Sequence, residues 1–117
     1  MRVLHVEDNP VDADLTRRSL ARQAPDIVLE NATTLALAAQ ALQQPGGYDL
    51  ALIDLKLPDG SGLELLMRIR EQQLPIAVVM LTGSGDQDAV VVALQAGADD
   101  YLSKGLEVFE RLPMTLR

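Results

Sequence analysis

A chain of 117 residues is long enough for one domain around one core and too short for two. Its 48% hydrophobic content argues against disorder, the absence of cysteine excludes disulfides and thiolate metal sites, and no apolar run approaches the roughly 20 residues of a membrane span. Seventeen acids against ten bases, a net charge of −7, oppose binding to nucleic acid. The opening Met1-Arg2-Val3-Leu4-His5-Val6 is too short for a signal peptide, so the expected location is the cytoplasm.

Five short apolar runs alternate with helical segments, the pattern of an α/β domain with a parallel sheet. The first strand is Val3-Leu4-His5-Val6, in which His5, the only histidine, reads as a core residue. Asn9-Pro10 then opens a helix, with Asn9 as N-cap and Pro10 at the tolerated first position. Asp12 and Asp14 suit the positive end of that helix, and Val11 and Leu15, four apart, suggest its apolar face. A second strand is expected around Ile27-Val28-Leu29. Leu35, Ala38, Ala39 and Leu42 share one face of the next helix, which Pro45-Gly46-Gly47 stops. Leu50-Ala51-Leu52-Ile53 is the third strand, and Leu57-Pro58-Asp59-Gly60 a turn. Ser61-Gly62-Leu63-Glu64 has capping-box spacing, and Leu63, Leu66 and Met67 are expected to face the sheet. Ile76 to Leu81 is the fourth strand, ending at Thr82 before a Gly83-Ser84-Gly85 loop. A fourth helix runs from about Asp86 to Gln95, with Gly97 as its cap. Tyr101-Leu102 is the last strand.

Polar residues close four of these runs: Glu7 and Asp8, Asp54, Thr82 and Lys104. A parallel sheet opens the carboxyl ends of its strands onto one rim, so these residues are expected to meet. Three carboxylates at one rim repel one another and require a counter-charge. Oxygen ligands suit a hard ion such as Mg2+, with Asp8 and Asp54 as direct ligands and Glu7 reaching through water. Taken singly, Glu7-Asp8 reads as well as a solvated loop and cap, and Thr82 as an ordinary strand end. Asp54, directly after Leu-Ala-Leu-Ile, has few structural reasons to be there. The only two lysines, Lys56 and Lys104, both fall beside these strand ends.

Joint placement is what carries the case, and it matches a family. The acidic pair in Val6-Glu7-Asp8-Asn9-Pro10, the run Leu52-Ile53-Asp54-Leu55-Lys56-Leu57-Pro58-Asp59-Gly60-Ser61-Gly62, Leu81-Thr82-Gly83, and Ala96 to Lys104 stand in order and correctly spaced. Over essentially its whole length the chain resembles the receiver domain of bacterial two-component response regulators. The resemblance implies a flavodoxin-like, doubly wound (βα)5 fold with strand order 2-1-3-4-5 and a site at the topological switch point. It implies that Asp54 accepts a phosphoryl group from the phosphohistidine of a sensor kinase or phosphotransfer domain. Mg2+, with Mn2+ as a substitute, is then held by Asp8, Asp54 and the Lys56 backbone carbonyl. Lys104 lends a second positive charge, Thr82 donates a hydroxyl hydrogen bond to the phosphoaspartate, and Gly83 leaves room for the approach. Thr82 drawn inward leaves space for Tyr101, shifting the face of fourth helix, fifth strand and fifth helix towards or away from a partner or a second copy.

Ala89 to Leu94 is apolar all round, so at least one of Val90, Val91 and Val92 is expected at the surface, as core margin or as partner surface. One departure stands out: receivers usually carry proline after the lysine, and here Lys104 precedes Gly105. Pro113 places the start of a fifth helix near Phe109 or Glu110, about two turns before Arg117. The expectation is a receiver over 1–117 that is part of a longer protein with a downstream output domain. It would be a switch, not an enzyme beyond its own phosphorylation and dephosphorylation. The competing readings are a pseudo-receiver acting as an interaction or dimerisation module, and an aspartate-nucleophile phosphatase. The second needs an acid two positions after Asp54, where Lys56 stands.

Overall fold

The computed structural model describes residues 1–44, 47–83 and 87–103. Its elements are β1 (Arg2–Val6), α1 (Pro10–Gln23), β2 (Val28–Ala32), α2 (Leu35–Leu42), β3 (Leu50–Asp54), β4 (Lys56–Leu57), β5 (Gly60–Ser61), α3 (Gly62–Glu71), β6 (Ala77–Thr82), α4 (Gln87–Gln95) and β7 (Asp100–Ser103). Five strands form one parallel sheet in the order β2-β1-β3-β6-β7, while β4 and β5 make a two-stranded antiparallel ribbon around Pro58-Asp59. Numbered without the ribbon, the sheet strands stand 2-1-3-4-5, as expected. Lys104, Gly105 and the expected fifth helix, together with Pro45, Gly46, Ser84, Gly85 and Asp86, lie outside the described residues.

β3 is buried along its whole length and alternates between two cores. Leu50 and Leu52 join Val3, Val79, Leu81 and Leu102 under α1, while Ala51 and Ile53 join Leu4, Val6, Leu66, Ile69 and Met80 under α2 and α3. Period-2 alternation on a strand covered on both sides is why this run is apolar throughout. His5 is fully buried, as expected.

Asn9 caps α1, its Oδ1 accepting from the N–H groups of Val11 (2.9 Å) and Asp12 (3.2 Å). Ser61 caps α3 through the N–H of Leu63, and Thr34 caps α2 through that of Leu37. Asp59 adds a link between layers: its carboxylate accepts from the N–H groups of Leu35 (2.8 Å) and Ala36 (3.1 Å), tying the ribbon to the first turn of α2. At the end of α4, Gly97 takes φ +111°, and paired bonds run from its N–H to the Leu94 carbonyl and from Ala98 N–H to the Ala93 carbonyl. That is a Schellman cap, and only glycine meets its backbone demand without strain.

Three expectations are corrected. Val11 and Leu15 are exposed, 64% and 40%, and α1 instead buries Thr16, Ser19 and Leu20. Small hydroxyl residues let the helix lie close to the sheet, and Thr16 returns its Oγ1 hydrogen to the Asp12 carbonyl at 3.0 Å. Met67 is 53% exposed; the buried face of α3 is Gly62, Leu65, Leu66 and Ile69. At about 100° per residue Met67 falls about 150° from the centre of that face. β2 begins at Val28 and runs on to Ala32, because an edge strand tolerates the polar Glu30 and Asn31 that end the apolar run.

At the amino end of the sheet, the guanidinium of Arg2 lies 4.7 Å from the Tyr48 ring centroid and donates to Glu30 at 3.0 Å, and the Tyr48 hydroxyl also donates to Glu30. The Tyr48 hydrogen bond, then Arg2, holds the Glu30 carboxyl below its usual 4.5. Its stabilisation is therefore present above that pH and is lost as pH falls through the lowered value. Burial first, then Glu30, raises the Tyr48 phenol above 10, so that contribution is full below pH 10 and lost as pH rises beyond. Tyr48→Phe is expected to flatten both limbs of the stability–pH profile and to cost about 1 kcal/mol or less at neutral pH, since Glu30 is largely solvated. Urea midpoints from pH 3 to 11 check this; limbs as steep as wild type would refute it.

Candidate functional site

At its carboxyl end β1 leaves the sheet in steps. Glu7 N–H still donates to the Ala32 carbonyl at 2.9 Å, and the Glu7 side chain, 1% exposed, turns inward. One of its carboxylate oxygens accepts from Asn9 N–H at 3.3 Å. Asp8 is exposed on the rim. On the neighbouring strand Asp54 closes β3, 7% exposed, with one carboxylate oxygen 3.4 Å from the Lys56 amide. The carboxylate oxygens that Glu7, Asp8 and Asp54 present lie within 4.8 Å of one another. β1 and β3 are adjacent at the switch point, where the chain order of the sheet reverses, and open α/β sheets bind ligands there.

The chain behind Asp54 is packed tightly. Leu55 N–H donates to Leu81 O at 3.1 Å, and Gly62 N–H to Leu55 O at 2.8 Å. A Cβ on Gly62 would lie 2.2 Å from the Asp54 carbonyl oxygen and 2.8 Å from Ile53 Cγ2, so only glycine lets α3 start here. Thr82, 2% exposed, ends β6 one residue beyond Leu81, the register partner of Asp54, and its hydroxyl donates to the Leu102 carbonyl at 3.4 Å. Tyr101 pairs with Met80 in register and is 42% exposed. Lys56 is exposed, two residues beyond Asp54. Glu7, Asp8 and Asp54 thus meet at the rim as expected, with Thr82 on the next strand; Lys104 is outside the described residues.

Two residues at the site carry no signal in a single sequence. Asn31, on the edge strand, donates from Nδ2 to the carbonyls of His5 (2.9 Å) and Glu7 (3.3 Å). Gly62 sits in a glycine-rich turn whose composition predicts a turn but not contact with the Asp54 backbone.

Two carboxylates held at such a separation repel by about 3.5 kcal/mol at an effective dielectric constant near 20. With two of the three buried, the arrangement favours a cation. An all-oxygen donor set fits a hard divalent ion such as Mg2+ or Mn2+, which takes one or two carboxylates and fills its remaining positions with water and phosphate oxygens.

The model of the response regulator receiver domain matches residues 3–114. The chain belongs to that family. The receiver is 38% identical over 104 residues to the transcriptional regulatory protein BasR of Escherichia coli K12, covering 89% of this chain and 46% of BasR. It thus spans about half the length of that curated relative. Among solved structures it resembles the Mn2+-bound form of response regulator Rcp1, with TM-score 0.84 and 30% identity over 95% of this chain and 88% of that one. It also resembles the phosphorylated cyanobacterial phytochrome response regulator RcpA, with TM-score 0.87 and 25% identity over 97% and 89%. Among the described residues of the receiver, no helix is long and apolar enough to cross a membrane.

Proposed function

We propose that this receiver is a phosphorylation-gated switch of the cytoplasm in which Asp54 is the phosphoacceptor. The observation that carries the reading is the convergence of the Glu7, Asp8 and Asp54 carboxylates at the switch point of the sheet. Its likeness to the Mn2+-bound Rcp1 and phosphorylated RcpA structures supports it.

In the step proposed, a carboxylate oxygen of Asp54 attacks the phosphorus of a phosphohistidine. The P–N bond breaks, an acyl phosphate forms, and histidine leaves. Asp8, Asp54 and the Lys56 carbonyl would hold Mg2+, or Mn2+ in its place, with Glu7 acting through water. The bound ion neutralises charge developing on the transferred oxygens. Lys104 is assigned the second positive charge. Thr82 would turn its hydroxyl from the Leu102 carbonyl to the phosphoryl group, a change of acceptor within one buried site. Phosphorylation adds roughly −1.5 to −2 charge, enough to drive that exchange.

The relay ends at a surface already apolar: Val91, Val92 and Leu94 on α4 and Tyr101 on β7 are each more than 40% exposed. This is the face assigned to a partner, a second copy or a linked output domain. On the other side of the rim, Val11 and Leu15 lie on the open face of α1, in the turns nearest Asp8. That placement suits docking of the sensor kinase or phosphotransfer domain that delivers the phosphoryl group.

The test is incubation with acetyl phosphate and Mg2+ followed by intact mass. Wild type is expected to gain one phosphoryl group, and Asp54→Asn or metal-stripped protein none. No gain by wild type would favour a pseudo-receiver acting by protein contact alone. Equal gain by Asp54→Asn would remove the assignment of the acceptor.

A further inference from the structure

β2 is an edge strand and ends at Ala32, the register partner of Val6. The Glu7 carbonyl therefore lies beyond the last rung of the β1–β2 ladder. In a ladder continued by two residues its donor would be Thr34, which here serves as the N-cap of α2. Asn31 bridges the break: one Nδ2 reaches the His5 carbonyl at 2.9 Å and the Glu7 carbonyl at 3.3 Å. The Glu7 carbonyl belongs to the rigid peptide plane that ends in the Asp8 amide. A donor on that oxygen limits rotation of the plane, and rotation of the plane would swing Asp8 about the rim.

We propose that Asn31 is a positioning residue for the acidic site. By holding the Glu7–Asp8 peptide it sets where the Asp8 carboxylate stands relative to Asp54, and so sets the affinity for a divalent cation it does not touch. Outer partners that orient metal ligands act in this way. The inference rests on the acidic cluster being a cation site, and its experiment has one arm that needs no cation.

Mn2+ is titrated calorimetrically into wild type, Asn31→Ala, Asn31→Gln and Glu30→Gln. Glu30 neighbours Asn31 on β2, but its side chain bonds Arg2 and Tyr48 at the opposite end of the sheet, so its variant reports lost stability alone. Asn31→Ala is expected to bind Mn2+ about tenfold more weakly, the lower end of what losing an outer partner costs. The longer amide of Asn31→Gln is expected to recover most of this, and Glu30→Gln to match wild type. In metal-free protein, the Asn9 amide of Asn31→Ala, which donates to the Glu7 carboxylate, is expected to exchange hydrogen about tenfold faster, with Leu4 and Val6 unchanged, as local rather than global opening requires. Unchanged Mn2+ affinity in Asn31→Ala, or an equal loss in Glu30→Gln, would overturn the proposal. Should wild type bind no Mn2+, the cation reading fails by itself; Asn9 exchange at the wild-type rate in Asn31→Ala would then dispose of the positioning role too.

Discussion

Alanine in place of Gly62 is expected to cost this receiver both stability and the phosphoacceptor chemistry proposed for Asp54. The added carbon would lie 2.2 Å from the Asp54 carbonyl oxygen and 2.8 Å from Ile53 Cγ2, on a residue that is itself buried. The nearer obstacle is backbone, so no rotamer change relieves it. Either the first turn of α3 lifts off the sheet, breaking the Gly62–Leu55 hydrogen bond of 2.8 Å, or the end of β3 gives way. Overpacking typically costs about 1–3 kcal/mol and sometimes more, a large share of the 5–15 kcal/mol that holds a domain. We expect about 3 kcal/mol. If the end of β3 moves, the Asp54 carboxylate moves with it, and a misplacement of about 1 Å can cost a factor of about 100 in rate. Urea denaturation gives the first quantity. The rate of labelling by acetyl phosphate, measured where the variant is still folded, gives the second. A Gly62→Ala protein that unfolds and labels like wild type would show that α3 does not press on Asp54.

Arg70→Met is the second large effect expected, and it acts away from the site. The guanidinium in the last turn of α3 donates to the carbonyls of Gly97 (3.0 Å) and Ile76 (2.8 Å) and to Asp99 (3.0 Å). The same Asp99 oxygen accepts from Val78 N–H at 2.7 Å. One side chain therefore fastens the end of α4, the entrance to β6 and the approach to β7. Three hydrogen bonds at about 1 kcal/mol each, less a discount because the Arg70 and Asp99 side chains are 30% and 55% exposed, give an expected loss of about 2 kcal/mol. Asp99→Asn combined with it in a double-mutant cycle isolates the ion-pair share, which is expected to shrink with added salt while the carbonyl share does not. A loss below about 0.5 kcal/mol would show that solvent replaces the clamp.

Much of this molecule could be read before its structure, and for definite reasons. Runs buried on both sides, such as Leu50 to Ile53, leave an unbroken apolar signature, and the acids and threonine that end such runs mark the rim. Local chemistry was legible too, since Asn9, Ser61 and Gly97 act through neighbours in the chain. What stayed hidden depends on contacts distant in sequence. Thr16 and Ser19 are polar by type yet form the packing face of α1, so Val11 and Leu15 looked like the inward pair. Met67 follows Leu66 in an apolar run, and only the registry of α3 against the sheet turns it outward. Asn31 looks like any edge-strand residue until β1 is laid beside it. Asp59 reads as a turn residue until α2 offers its open N–H groups.

The strand direction of the sheet has a further consequence. Arg2 and Tyr48, with the carboxylate that Glu30 extends to them from the middle of β2, and likewise Arg70 and Asp99, gather where the strands begin, whereas Glu7, Asp8, Asp54 and Thr82 stand where they end. A strand of five residues, at about 3.3 Å each, keeps the two groups roughly 16 Å apart. At that distance substitutions act almost independently. Robustness and responsiveness thus occupy opposite poles of the molecule. A lineage or an engineer can raise the melting temperature from the polar clamps at one pole without retuning the chemistry at the other, sidestepping the usual trade between stability and activity.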